Sequence, residues 1–308
     1  MRVFTDLRCL DHPAPAGFPE RPERLAGVLA GLERLAGCEV VRGAEAVDLD
    51  AALLAVHDGG YVERFARAAA RGDGLLDSAD NPIAPASFAA ARAAAGAAVA
   101  ALDAALAGGS ARTFAAVRPP GHHAERDRAM GFCFFNNAAI AAQRALDRHG
   151  LERVAILDFD VHHGNGTQHL FEERADVFYA SVHQWPFYPG TGAPGERGRG
   201  AGAGATLNVP LAAGAGDAEY EAAFVARLLP ALDAFRPELL IVSAGFDAWR
   251  GDPLGGMRVS EAGFARWGEL LRELAERRCG GRAVSLLEGG YDLGALPSLV
   301  CSYSGYML

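Results

Sequence analysis

Seven short, apolar, β-prone runs recur along the chain, at residues 3–5, 113–117, 154–158, 177–182, 206–209, 239–243 and 283–287. Runs of this kind, rich in Val, Ile, Leu and Phe without polar alternation, read as strands buried on both faces of a sheet. Between them lie longer stretches of helical character, at residues 22–35, about 84–106, 137–148, 217–235 and 260–277, the first with Pro22 in its opening turn. The stretch from residue 84 is alanine-rich enough to resemble low complexity. Alanine is the best helix former, so a packed helix is the reading we adopt. The alternation predicts an α/β fold, a mostly parallel sheet of about eight strands with helices on both faces. No linker interrupts it, so residues 1–308 are expected to form a single domain.

Polar residues break the pattern at four places, each just past an expected strand. Residues 118–125 bring Arg118, Gly121, His122, His123 and Glu125; residues 158–168 bring Asp158, Asp160, His162, His163 and Asn165. Asp247 follows the run at 239–243, and Glu288, Gly289, Gly290 and Tyr291 follow the last. In open α/β sheets ligands bind outside the carboxyl ends of the strands. An unpaired buried carboxylate costs several kcal/mol or more, so a core strand ending in aspartates and histidines requires a partner, most simply a cation. Side chains in a strand repeat with period two, which starts Asp158, Asp160 and His162 on one face. Carboxylate and imidazole donors suit a hard or borderline divalent metal. One such segment could be a capped strand end; four on the same sheet edge favour a shared site.

Composition narrows the chemistry. Half of the residues are hydrophobic and 22% charged, enough for a sizeable core. No apolar run is read as membrane-spanning, and the N-terminus reads as a strand rather than a signal peptide. Five cysteines without CxxC spacing exclude a disulfide framework and a thiolate zinc ribbon, which makes a cytoplasmic location the expectation. The net charge of −9 lacks the basic stripe of a nucleic-acid binder and is compatible with cationic substrates. There is no lysine: all 29 basic residues are arginine, which removes the P-loop and any internal Schiff base. Ser243 lacks a glycine two positions before it, so there is no nucleophile elbow. Gly200, Gly202 and Gly204 brush against a dinucleotide fingerprint but lead into a strand, not a helix, and Gly214 and Gly216 lack its third position and acidic partner. Both stretches are expected to be flexible surface loops.

Taken together, these motifs resemble the zinc-dependent histone deacetylases, in particular the class II-like bacterial amidohydrolases, within the arginase/deacetylase superfamily. The resemblance runs from residues 19–25 (Pro-Glu-Arg-Pro-Glu-Arg-Leu) through His57 and Tyr61, residues 118–124, 131–137, 158–168, 188–192 and 244–254, to residues 288–291. It implies an arginase/deacetylase-like fold and one catalytic ion, Zn²⁺ with Fe²⁺ or Co²⁺ as alternatives, held by Asp160, His162 and Asp247. Two anionic ligands quench much of the ion's charge, so its water is less acidic than in a tris-histidine site and a protein base is needed. By the same resemblance His122 pairs with Asp158 and stays cationic, while His123 pairs with Asn165, where some members carry aspartate. An amide stabilises a cation less, which makes His123 the general base and acid. Tyr291 would hydrogen-bond the developing oxyanion.

Further expectations follow from the resemblance. Gly131, Phe132 and Tyr188 match the aromatic slot for the substrate's alkyl chain, with tyrosine at 188 where many relatives have phenylalanine. Asp80 is either the rim acid that binds a peptide backbone or a turn aspartate. Leu254 falls near the pocket mouth, where polyamine-selective relatives can carry glutamate. Asp158, Asp160, His162, Ser181 and Val182 match a structural K⁺ or Na⁺ site. The implied activity is removal of an acyl group from an amine, most simply acetyl from a lysine of a protein or peptide. Acetylpolyamines or other small acylamines are the alternative substrates, and a catalytically silent acyl-lysine reader is the alternative of another class. Residues 297–308 depart from the family pattern, which has a longer amphipathic helix there.

Overall fold

The computed structural model describes residues 1–43, 48–108 and 111–307. The chain opens with β1 (Arg2–Thr5), α1 (Pro22–Leu32), β2 (Glu39–Arg42), α2 (Leu49–Val56) and α3 (Gly59–Arg71). A small antiparallel hairpin, β3 (Leu75–Leu76) and β4 (Ser78–Pro82), precedes α4 (Ser87–Leu106), β5 (Arg112–Ala115) and α5 (Asn137–Asp147). Then come β6 (Val154–Asp158), α6 (Asn165–Phe171), β7 (Val177–Gln184) and β8 (Thr206–Leu211). After α7 (Asp217–Ala223) and α8 (Leu229–Phe235), the chain ends with β9 (Leu239–Ala244), α9 (Glu261–Arg278), β10 (Ala283–Leu287) and α10 (Leu296–Met307).

Eight of these strands form one all-parallel sheet in the order β2-β1-β5-β10-β9-β6-β7-β8. Every residue of β6, β7, β9 and β10 is buried, as uninterrupted apolar runs require when helices cover both faces. The sheet brings β5, β10, β9 and β6 side by side, so the four polar clusters emerge from adjacent strand ends.

Several boundaries differ from the sequence reading for identifiable reasons. The strand β8 runs through Pro210 to Leu211, tolerated because β8 is an edge strand and the missing N–H faces no partner. The opposite edge, β2, was not anticipated: its four residues are exposed or half-buried and carry no buried-strand pattern. The helix expected over 217–235 is broken by a π-helical turn at Phe224–Leu228, just before Pro230, which has no N–H to donate back along the helix. Gly200–Gly202 is not a loose loop. It forms a 3₁₀ turn packed on the segment after α6, where a Cβ on Gly202 would fall 2.4 Å from the Glu172 carbonyl oxygen. The helix α4 is long and apolar enough to cross a membrane by length and composition, contrary to the sequence reading, but 67% of its most apolar window is buried inside the protein. The C-terminal segment is a helix after all. In α10, Leu296, Leu299, Val300, Tyr303 and Met307 pack at helical spacing toward α9 and α1, while Ser298, Gly305 and Tyr306, none of them charged, are exposed on the outer face. Leu308 lies outside the described residues.

A buried ion cluster ties the N-terminal segment to this frame. The Glu20 carboxylate accepts two hydrogen bonds from Arg118 (2.9 and 2.7 Å) and one from Arg24 (3.0 Å). Burial raises the Glu20 pKa, yet the two guanidinium groups outweigh it and hold it near 2. A depressed carboxylate pKa stabilises the fold above the ordinary value of 4.5 and loses that contribution as pH falls toward 2. Unfolding free energy is therefore expected to drop by roughly 2–3 kcal/mol from this group between pH 5 and pH 2. Urea titrations across that range, compared with Glu20→Gln, check the point. The variant should be less stable at neutral pH and show a flatter acid limb.

Candidate active site

The turn after β6 and the turn after β9 place Asp160, His162 and Asp247 so that one donor atom from each lies within 4.8 Å of the others. The Nδ1 of His162 is 3.1 Å from Asp160 Oδ1 and 3.2 Å from Asp247 Oδ2. Asp247 Oδ1 accepts from the Val161 amide at 2.8 Å, whereas Oδ2, although close to His162, has no partner in hydrogen-bonding geometry. An orphaned, fully buried carboxylate oxygen facing an imidazole nitrogen and a second carboxylate fits a divalent cation between them. The demand for positive charge shows in the titration. Burial lowers the His162 pKa, but the two carboxylates beside it carry it up to about 10. Burial and Asp160 push Asp247 in the opposite direction from an ordinary exposed aspartate, upward. Two glycines make room: a Cβ on Gly245 would sit 2.1 Å from Asp160 Oδ2, and one on Gly289 would sit 2.1 Å from Asp247 Oδ2.

The loop after β5 lays the His122 and His123 rings against each other, 4.0 Å between centroids. His122 Nδ1 is 3.0 Å from Asp158 Oδ2. Burial opposes its charge, but Asp158 and Asp160 prevail and raise its pKa to about 10. His123 Nδ1 lies 2.7 Å from the uncharged Asn165 Oδ1. Burial and the neighbouring His122 and His162 drive its pKa well below the ordinary value. One imidazole is held cationic and its neighbour neutral, the split expected from their different partners. On the adjacent strand Ser181 stands in register with Asp158, and Val182 follows it, which brings these residues of the expected monovalent-cation site onto neighbouring strands.

Over these groups opens a 290 Å³ pocket whose walls include Phe132, Phe187, Tyr188, Leu254 and Tyr291, with His123 and His162 among its lining. Gly131 and Asp80 also line it, so all five expected substrate-binding residues gather there. The Asp80 carboxylate is engaged by the Gly131 amide (3.1 Å) and the Tyr188 hydroxyl (3.0 Å), combining the rim position with a local bracing role. Tyr291 is buried, which keeps its phenol protonated far above neutral pH.

Sequence reasoning missed several contributors. Phe187 stacks on His162 with 5.2 Å between ring centroids, and its only signal was the aromatic run after β7. Arg24, from the N-terminal motif, donates 2.6 Å hydrogen bonds to the carbonyls of Glu288 and Gly290 and lies against the Tyr291 ring. Asp252 accepts from the Tyr291 and Leu254 amides at 2.7 and 2.8 Å. Arg24 and Asp252 reach the Tyr291 segment from distant parts of the sequence, where no local pattern points to that contact.

The chain matches the histone deacetylase domain over residues 18–306. A histone deacetylase-like amidohydrolase of Pseudomonas aeruginosa is 45% identical over 289 residues, covering 92% of this chain and 75% of that protein. Human polyamine deacetylase HDAC10 is 42% identical over 299 residues, 92% of this chain but 43% of its own length. The crystal structure of the HDA15 HD domain superposes with a TM-score of 0.90 at 38% identity, covering 99% of this chain and 88% of that one. With the strand-end clusters placed as described and similarity at this level from near one terminus to the other, the chain belongs to the histone deacetylase family.

Proposed function

We propose that the protein is a metal-dependent amidohydrolase that deacylates an acylated amine, with acetyl-lysine of a protein or peptide as the substrate. The observation that carries this reading is the convergence of Asp160, His162 and Asp247 beneath an aromatic-walled pocket that also presents His123 and Tyr291. Asp160, His162 and Asp247 would hold Zn²⁺, or Fe²⁺ or Co²⁺. The ion would supply a Lewis acid for the amide carbonyl and lower the pKa of water. His123, kept neutral by its surroundings, takes the proton of the attacking water at Nε2 and returns it to the leaving nitrogen. His122, paired with Asp158, stays cationic and stabilises negative charge at the reacting centre. The Tyr291 phenol donates to the oxyanion, and Phe132 and Tyr188 exclude water from the alkyl chain. Asp158 and Ser181 contribute donors for a structural K⁺ or Na⁺. Acetate release from an acetyl-lysine peptide, abolished by a chelator and restored by added metal, tests the reading; a metal-loaded protein without turnover on any acylamine would refute it.

Acetylpolyamines form the second reading, favoured by the similarity to a polyamine deacetylase. Leu254 in the pocket wall argues against it, because a secondary ammonium would shed water there without a compensating charge. Acetyl-lysine brings only methylenes and a neutral amide to that depth. The expected result is a higher kcat/KM for acetyl-lysine peptides than for acetylspermidine. In Leu254→Glu the ratio should move about tenfold toward the polyamine, or ~1.4 kcal/mol. Parallel kinetics on both proteins decide: a parent preferring acetylspermidine, unmoved by the substitution, removes Leu254 as the selector.

A further inference from the structure

Behind His123, on the side away from the pocket, hydrogen bonds run outward to the surface. The Asn165 Oδ1 faces His123 Nδ1 at 2.7 Å, and its Nδ2 donates to Glu125 Oε1 at 2.6 Å. The same Nδ2 makes longer contacts with the His123 carbonyl (3.3 Å) and Met130 Sδ (3.6 Å). Glu125 Oε1 is also 2.8 Å from Nδ1 of the half-exposed His169. Glu125 and His169 border a surface groove with Arg64, Asp77, Asp127 and Arg128, none of which lines the substrate pocket.

The chemistry of this chain permits one arrangement. A primary amide can present either its oxygen or its nitrogen to a neighbour, but an ionised carboxylate only accepts. Glu125 is held in that form. Burial raises its pKa, while the hydrogen bonds from His169 and Asn165 bring it below the ordinary value. The Asn165 nitrogen must therefore turn toward Glu125, which leaves its oxygen facing His123. An accepting oxygen requires a proton on His123 Nδ1, so the lone pair of the neutral ring sits on Nε2, at the opposite end of a ring that lines the pocket.

We infer that Glu125 is a positioning residue that fixes the Asn165 amide and through it the tautomer of His123, keeping the basic nitrogen toward the substrate. The inference rests on the reading of His123 as the proton acceptor. Reversing the polarity of the chain tests it. Glu125→Lys places a donor where the acceptor was, with Asp77 and Asp127 in the same groove as counter-charges. The amide then flips, its nitrogen faces Nδ1, and the proton moves to Nε2. The expected result is a fall in kcat of about a hundredfold, the scale of one acid–base group, with KM and metal content close to the parent. Adding Asn165→Asp to Glu125→Lys supplies a carboxylate that accepts from both sides and should recover most of the loss. Asn165→Asp alone sets two carboxylates against each other and should be slower than the double variant. Glu125→Met, near-isosteric and uncharged, removes the bias without a new charge and should give mixed tautomers and about a tenfold loss.

The ¹⁵N resonances of the imidazoles in the metal-loaded protein report the tautomer independently of turnover. A shift of His123 from the Nδ1–H to the Nε2–H form in Glu125→Lys supports the inference even if the parent proves inactive on every acylamine, a result that would refute only the proposed function. An unchanged tautomer in a folded Glu125→Lys or Glu125→Met overturns it, as does a double variant no faster than Glu125→Lys in an otherwise active enzyme.

Discussion

Asp247→Ala is expected to lose most of its bound divalent ion and essentially all hydrolysis while keeping its fold. Asp247 is the sole donor from β9 in the group of three, and its Oδ2 has no other hydrogen-bonding partner. The remaining pair, Asp160 and His162, comes from one short turn and cannot enclose an ion. Even outer-shell changes lower metal affinity by about 10–100-fold, so removal of a direct ligand should exceed that range. Turnover should fall by about 10⁴-fold or more, or at least ~5.4 kcal/mol of transition-state stabilisation. Stability should fall by about 1–3 kcal/mol, because the buried Val161 amide loses its acceptor, a cost partly offset by relief of the approach of two buried carboxylates. Metal analysis with equilibrium dialysis, alongside thermal unfolding, measures both. Full occupancy with normal turnover would remove Asp247 from the proposed ligand set.

Tyr291→Phe carries the second large effect. The ring lies against Arg24 at 4.6 Å and Phe132 at 5.8 Å between centroids, and Asp252 holds the residue's backbone amide. Phenylalanine keeps that packing and removes only the phenolic hydrogen. Deleting one oxyanion donor lowers kcat by about 10²–10³-fold, or about 2.7–4 kcal/mol. Metal content and KM should stay near the parent, since the lost bond forms in the transition state. A variant within about threefold of the parent kcat would reassign the oxyanion role.

Much of this site was legible before folding, because its residues obey local rules. Asp158, Asp160 and His162 end a strand too apolar to tolerate them without a partner, and Glu288 and Tyr291 flank Gly289 and Gly290 just past another strand end. The environment around each group was not legible. The contrast between His122 and His123 was anticipated from their partners, yet its strength comes from burial and from charges on other strands. Arg24 steadies the Tyr291 loop from the far end of the sequence, and Glu125 reaches His123 only through Asn165.

The amino-acid sequence by itself determined the α/β class, the buried central strands and the chemistry at their carboxyl ends. Those properties follow from hydrophobic period and from the penalty on unpaired buried charge, both of which act over a few residues. Tertiary structure alone decided the order of the sheet, in which β5, β10, β9 and β6 become neighbours and their four turns become one site. It also decided the exposed edge β2, the buried face of α10 and the ion cluster of Glu20, Arg24 and Arg118. Pairing between strands distant in the chain depends on how all the helices pack across the two faces, and no local pattern encodes that sum.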